Sequence, residues 1–201
     1  MTIAPKPKHD DTAFWRNRYA RVHDIRAVGF LQKTPAQNEK EYVQAARLFK
    51  SYVNEDLKLV ERGSALEFGY GLGHYTRHCH DLGFKSYHGL DFAAPAGPSL
   101  GPTFTYGKAD VGAPLDLKKR FDLVMAIDVL FHITDEPRFE QALTNIKKHA
   151  ARIIYVTGRT RAERIAAHVI HRDLARFKRL GTLLTISPWR DTALMRFRVD
   201  R

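Results

Sequence analysis

Of 201 residues only one, Cys79, is a cysteine. A single thiol excludes an internal disulfide framework and suits a reducing compartment, so the expected location is cytoplasmic. No apolar run is long enough to span a bilayer, and the opening residues Met1 to Lys8 are too polar for a secretory leader, which excludes the membrane as a partner. Internal repeats are missing, and the length fits one domain able to bury a sizeable sheet. The chain also has few acids for its bases: 33 Lys and Arg stand against 22 Asp and Glu, a formal net charge of +11. Such a surface attracts anions.

What is present is concentrated in residues 65–73, Ala-Leu-Glu-Phe-Gly-Tyr-Gly-Leu-Gly. Leu66 and Phe68 read as a buried parallel strand, and glycines at every second position let the backbone turn tightly against a ligand. The glycines do not form a P-loop, because no Gly-Lys-Ser/Thr follows. They do not form the dinucleotide fingerprint either, since His74 stands where its third glycine belongs. Glu67 would repel a diphosphate two residues ahead of the first glycine and would attract a cation.

Downstream, Tyr75, Cys79 and Leu82 make a helical stripe that Gly83 ends. A second strand, 86–91, closes on Asp91 about two dozen positions after Glu67, the separation at which doubly wound sheets place an acid on ribose hydroxyls. A third, 104–109, runs into Asp110-Val111. The fourth, 121–128, is almost continuously apolar, as a strand buried on both faces should be, and Val129-Leu-Phe-His-Ile133 follows it.

The pattern Glu67-x-Gly69-x-Gly71-x-Gly73 resembles motif I of the class I methyltransferases that use S-adenosylmethionine. Val129 to Ile133 is similar to that family's motif after the fourth strand, and the resemblance spans residues 63–158. It implies a doubly wound α/β fold with a mostly parallel seven-stranded sheet, a C-terminal antiparallel hairpin and N-terminal lid helices. It also implies S-adenosylmethionine as cofactor, held by Glu67, Gly69, Tyr70, Gly71 and Gly73, with Asp91 and Phe92 at the ribose. Asp110 would take the adenine amino group, the Val111 backbone N–H a ring nitrogen, and Ile127 the same site. The expected organisation is one domain, 1–201, with lid helices in 1–58 and a cofactor core in 59–201.

Around this core, helices are expected over 11–22 and 38–53, with Asp10 or Asp11 as first cap. Residues 27–35 between them form a candidate mobile segment over the site. A helix over 137–149 and a strand over 151–156 follow. A long basic helix is expected over 161–180, with Ile165, Val169, Leu174 and Phe177 inward and Gly181 at its end. Two strands within 183–199, around a turn at 187–191, complete the chain.

Methyl transfer from a sulfonium is an in-line displacement, so the protein mainly aligns nucleophile and methyl. A hydroxyl or ammonium acceptor also needs a base, for which Asp128 and His132 are the candidates. Trp15, Tyr19 and Arg159 are the substrate candidates, with Phe30 and Tyr155 as further apolar wall. His74 and His78 have the spacing of a zinc pair but lack the acid of a metalloprotease motif, and no metal is expected. Against the resembled family, the Asn/Asp-Pro-Pro-Tyr/Phe motif of amino-directed nucleic-acid enzymes is absent, and the only cysteine is misplaced for a C5 nucleophile. The expected acceptor is therefore an oxygen or nitrogen of a small molecule, and the basic lid admits an anionic one. A nucleic-acid methyltransferase and a non-catalytic cofactor-binding protein are the alternatives.

Overall fold

The computed structural model describes residues 9–200. Met1 to Lys8, with the basic positions Lys6 and Lys8, lie outside them. The strand β1 (Ser64–Phe68) is buried at every position, and β4 (Phe121–Ala126) at every position but Asp122. Side chains alternate across a strand, so β4 feeds two cores at once: Val124 and Ala126 on one face, Leu123 and Met125 on the other. The first face is covered by α4 (Glu136–His149) through Phe139, Leu143 and Ile146. The second is covered by α2 (Pro35–Asp56) through Phe49 and Val53, and by α3 (His74–Asp81) through Tyr75 and Cys79.

These strands join β2 (Ser86–Asp91), β3 (Phe104–Lys108), β5 (Ala150–Gly158), β8 (Thr182–Trp189) and β9 (Thr192–Arg198) in one sheet of order β3-β2-β1-β4-β5-β9-β8. The first five run parallel, and β9 is antiparallel to both its neighbours. The strand order reverses between β1 and β4, which is where an open parallel sheet leaves a crevice at its carboxyl ends. The doubly wound seven-stranded fold with its C-terminal hairpin is as expected.

Capping fixes the helices that flank this crevice. Asp10 accepts from the Ala13 N–H at 3.0 Å to start α1 (Asp11–Arg21), leaving Asp11 buried and free for another partner. Thr34 and Gln37 form a capping box with Pro35 at the first turn of α2, which starts three residues earlier than expected. Among the described residues no helix is long and apolar enough to cross a membrane.

The long basic helix expected over 161–180 is not formed. Residues β6 (Glu163–Ala166) and β7 (Val169–His171) pair as an antiparallel hairpin, and Leu174–Leu180 is a 3-10 helix. The four-residue spacing of Ile165 and Val169 mimicked a helical stripe, yet Ile165 is exposed while Phe177 and Leu180 are buried. The only cap lies midway: Asp173 accepts from the Ala175 N–H at 2.9 Å, so helical structure starts there and not at Arg161. Gly181 does end it.

Asn145 of α4 is fully buried and holds the connection after β3. Its amide donates to the carbonyls of Val111 and Ala113, both at 2.7 Å, and its oxygen accepts from the Leu115 N–H at 3.3 Å. Asn145→Leu leaves those carbonyls unpaired, at about 1–3 kcal/mol for each buried group. We expect a loss of about 2–4 kcal/mol in urea unfolding; a loss below about 1 kcal/mol means that water enters and satisfies the loop.

Candidate active site

Beyond Phe68 the chain turns through Gly69, Gly71 and Gly73, all with positive φ (73°, 55° and 74°). A side chain at Gly69 would collide with Val129, and a Cβ at Gly71 would stand 2.8 Å from Val28 Cγ1. The turn thus brings bare backbone to one wall of a cavity of about 920 Å³, counted out to solvent. The cavity collects Glu67, Gly69, Tyr70, Gly71, Asp91, Phe92, Asp110, Val111, Ile127, Asp128, His132, Trp15 and Tyr19, which are nearly all the residues singled out in the sequence. Gly73 is not in its wall. It is the left-handed residue that starts α3, packed against Pro98.

Glu67 is 2% exposed, and its Oε2 accepts a short hydrogen bond from the Tyr87 hydroxyl. Burial pushes its carboxyl up to about 8, an effect that the Tyr87 bond only partly offsets and the nearby Asp91 reinforces. Asp91 is also buried. Its Oδ1 accepts from the N–H groups of Ala93 (2.8 Å) and Ala94 (3.0 Å), and its Oδ2 from Gly71 N–H at 3.3 Å, so it braces the glycine turn. Burial raises its carboxyl above the ordinary value, against those bonds. Asp110 takes Arg138 Nη2 at 2.7 Å on one oxygen and Gly112 N–H at 2.8 Å on the other.

Beside the glycine turn, the segment after β4 carries both candidate bases, Asp128 and, on a 3-10 turn at Leu130–His132, His132. Asp128 has φ +57° and is committed on both oxygens: Oδ1 accepts from the Thr157 hydroxyl at 3.1 Å, and Oδ2 from Arg190 Nη1 at 2.8 Å. His132 lies beside Trp15, edge to face at 4.8 Å, and its Nδ1 is 3.0 Å from the His168 carbonyl. A carbonyl only accepts, so Nδ1 carries the proton and Nε2 the lone pair. Burial pushes the imidazole down to about 3, which keeps it neutral.

The lid closes the remaining side. Trp15 and Tyr19 of α1 border the cavity, and Asp11 anchors the helix by accepting from Thr134 N–H (2.8 Å) and Oγ1 (2.9 Å). The candidate mobile segment 27–35 is tied down: Asn38 bonds both the N–H (2.8 Å) and the carbonyl (3.0 Å) of Phe30, and Tyr42 Oη donates to the Val28 carbonyl at 2.9 Å. Arg18 Nη2 donates to the carbonyls of Arg26, at 2.7 Å, and Gly29.

Two substrate candidates are corrected. Arg159 is outside the cavity wall, its guanidinium paired with Glu163 at 2.6 Å across the start of the hairpin that replaced the expected helix. Tyr155 is wholly buried and donates to Asp56 at 2.7 Å. Phe30 instead lies under the cations Lys33 (4.2 Å) and Arg190 (5.4 Å). Unforeseen in the cavity wall are Tyr42, Arg138 and His74, which stacks on Tyr42 at 4.4 Å, while Arg190 stands outside the wall, against Asp128 and Tyr42. Tyr42 was legible as the inward face of its helix, but nothing in the sequence marked the arginines' partners. Among the described residues no group of three histidine, cysteine or carboxylate side chains is arranged to hold a metal ion.

A sheet of this order with one reversed strand, and a cavity of acids and glycines at its carboxyl ends, defines the class I methyltransferase architecture. A family model described as a methyltransferase domain matches residues 38–184, and the chain belongs to that family. Among solved structures it is similar to the N-methyltransferase NodS from Bradyrhizobium japonicum WM9 in complex with S-adenosyl-L-homocysteine (TM-score 0.68, 16% identity, 96% of this chain and 100% of that one). It is likewise similar to magnesium protoporphyrin IX methyltransferase from Synechocystis PCC 6803 with bound SAM (TM-score 0.67, 13% identity, 99% and 100%). At such identities the likeness is one of fold. No curated protein matches the chain significantly.

The buried acid and the buried imidazoles act oppositely on stability. Glu67, raised to about 8, holds a proton in the folded protein that the unfolded chain has lost, so its contribution is full at low pH and fades as pH climbs through 8. His132, lowered to about 3, and His74, lowered to about 4, make stability rise with pH up to the ordinary histidine value near 6.5. Between about pH 6.5 and 8 the histidine contribution is complete while Glu67 still titrates, and its titration should lower the stability of the ligand-free protein by up to about 1.4 kcal/mol per pH unit. Thermal melts of Glu67→Gln should be flat over that window; an unchanged slope assigns the titration elsewhere.

Proposed function

We propose that the chain transfers the methyl group of S-adenosylmethionine to an oxygen or nitrogen of a small molecule. One observation carries the reading. Five acids border the cavity, and three of them face arginines: Asp110 and Asp11 meet Arg138 at 2.7 and 3.6 Å, and Asp128 meets Arg190 at 2.8 Å. Glu67 and Asp91, on either side of the glycine turn, have no cationic partner among the described residues. A buried acid without a counter-charge favours a cationic ligand, and a diphosphate would be repelled.

The residues fit that cofactor. The left-handed glycine turn presents backbone without side chains to one wall, and the buried, unpartnered His74 Nε2 and Tyr75 Oη in the wall leave polar positions for a ligand. When bound, the cofactor supplies an electrophilic methyl on a sulfonium. Glu67 beside the glycine turn would hold its amino-acid end, Asp91 the ribose with Phe92 alongside, and Asp110, Val111 and Ile127 the adenine. Trp15, Tyr19 and the remaining lid residues exclude water and confine the acceptor, the role we assign to the N-terminal helices as part of one domain.

His132 is the base in this reading. Asp128 is not, because releasing its lone pairs would strand Arg190. A bare Nε2 that stays unprotonated at physiological pH would accept the acceptor's proton as the sulfonium becomes a neutral thioether, so the positive charge would pass from sulfur to imidazole as the methyl is transferred. The magnesium protoporphyrin IX named for one structural neighbour, and the N-methylation named for another, support this class of reaction.

Radiolabelled methyl should pass from S-adenosylmethionine into a fraction of small metabolites and not into RNA or DNA; label confined to nucleic acid ends the reading. His132→Ala should lower kcat by about 100-fold or more while the Kd for S-adenosylhomocysteine stays within about twofold. Asp91→Ala should weaken that Kd by about tenfold or more, through the lost ribose contacts and the unbraced turn. Unchanged affinity in the latter places the ribose elsewhere.

A further inference from the structure

Beside the first cavity lies a second, wider and open to solvent, of about 1180 Å³ counted outward. The two share Tyr19, Leu72 and Phe92 as a common wall. Its charged lining comes from two elements that face one another across it: Arg16 and His23 from α1 and the turn after it, and Lys108 from the end of β3. No acid lines it. Other cations of the same lid are neutralised, Arg26 by Asp24 at 2.7 Å and Lys33 by Glu41, whereas no ion pair engages Arg16 or Lys108 among the described residues. Free cations are common on this surface, but these converge on one concavity that touches the candidate cofactor cavity.

We propose that this groove binds a phosphate group carried by the methyl acceptor. The proposal rests on the methyltransferase reading in taking the ligand to be the acceptor; the anion site itself stands on the groove. Two permanent cations match the double charge of a phosphate monoester better than the single charge of a carboxylate, and the imidazole adds a donor. The side chains are exposed, so salt weakens the site, and binding strength would come from the three acting together. Tyr19 and Phe92 would flank the uncharged part of the ligand as it passes from groove to cavity.

The probe is inorganic phosphate, titrated into the full chain at fixed ionic strength and followed by amide NMR. Saturable shifts at Tyr19, His23 and Lys108 are expected. A double variant, Arg16→Glu with Lys108→Glu, should raise the apparent Kd by about tenfold or more, yet still be stabilised thermally by S-adenosylhomocysteine. Phosphatase treatment of the metabolite fraction should abolish methyl labelling. Shifts that never saturate, or that the variant retains, overturn the site. Saturable binding with labelling indifferent to phosphatase overturns the acceptor assignment. RNA oligomers that bind through the same residues far more tightly than phosphate replace it with a nucleic-acid groove. Absence of any response to S-adenosylhomocysteine, with phosphate binding intact, is instead a failure of the methyltransferase reading.

Discussion

A carboxylate at the end of a strand buried on both faces governs how the rest of this molecule is built. Glu67 stands between β2 and β4, where its register neighbours are Gly89 and Met125, and no lysine or arginine among the described residues pairs with it. Desolvation at such a position is expensive unless the group is protonated, hydrogen-bonded or matched by a ligand. The protein uses the first two by itself: the carboxyl is held toward its neutral form, and the Tyr87 hydroxyl donates to it. The third is left for a cation. The adjoining turn is glycine because its backbone is left-handed and a Cβ at Gly69 or Gly71 would strike Val129 or Val28.

The cations of the site perform the complementary work of silencing the other acids. Arg190, itself at φ +48° in the turn between β8 and β9, lies over Tyr42 at 4.7 Å and reaches Asp128 from 62 residues away. Positive φ at both Asp128 and Arg190 costs conformational energy that their ion pair and packing offset. The pairing ties the C-terminal hairpin to the fourth strand and, through Tyr42 and the Val28 carbonyl, to the segment that covers Gly71. Lid, hairpin and glycine turn therefore form one contact network, and a change at Arg190 is felt at all three.

Legibility in the sequence followed the range of the interactions. The strands were readable because burial on both faces writes a continuous apolar run, and the three strand-end acids because each follows its own strand directly. The hairpin at 163–171 was misread since Ile165 and Val169 repeat at a helical interval by coincidence, and only the capping acid Asp173 marked where helical structure starts. The bonds that decide which acid is free were not readable at all. Asp11 meets Thr134 across 123 positions, and Asp128 meets Arg190 across 62; local pattern says nothing about such pairs. Two acids that looked equivalent beside His132 and Glu67 thus separate only in three dimensions.

In the proposed reading, that separation also favours one of the two candidate bases. Proton transfer needs a lone pair that is available and a site that tolerates the resulting charge. Asp128 offers neither, since its oxygens are bound to Thr157 and Arg190 and its protonation would leave a guanidinium buried without a counter-ion. His132 offers the lone pair, fixed on Nε2 by the carbonyl of His168, while burial disfavours its charged form. In the proposed reading the proton would carry to the imidazole the charge that the sulfonium gives up, against that burial cost. The mis-assigned hairpin, by presenting the His168 carbonyl, is what orients the imidazole for this role.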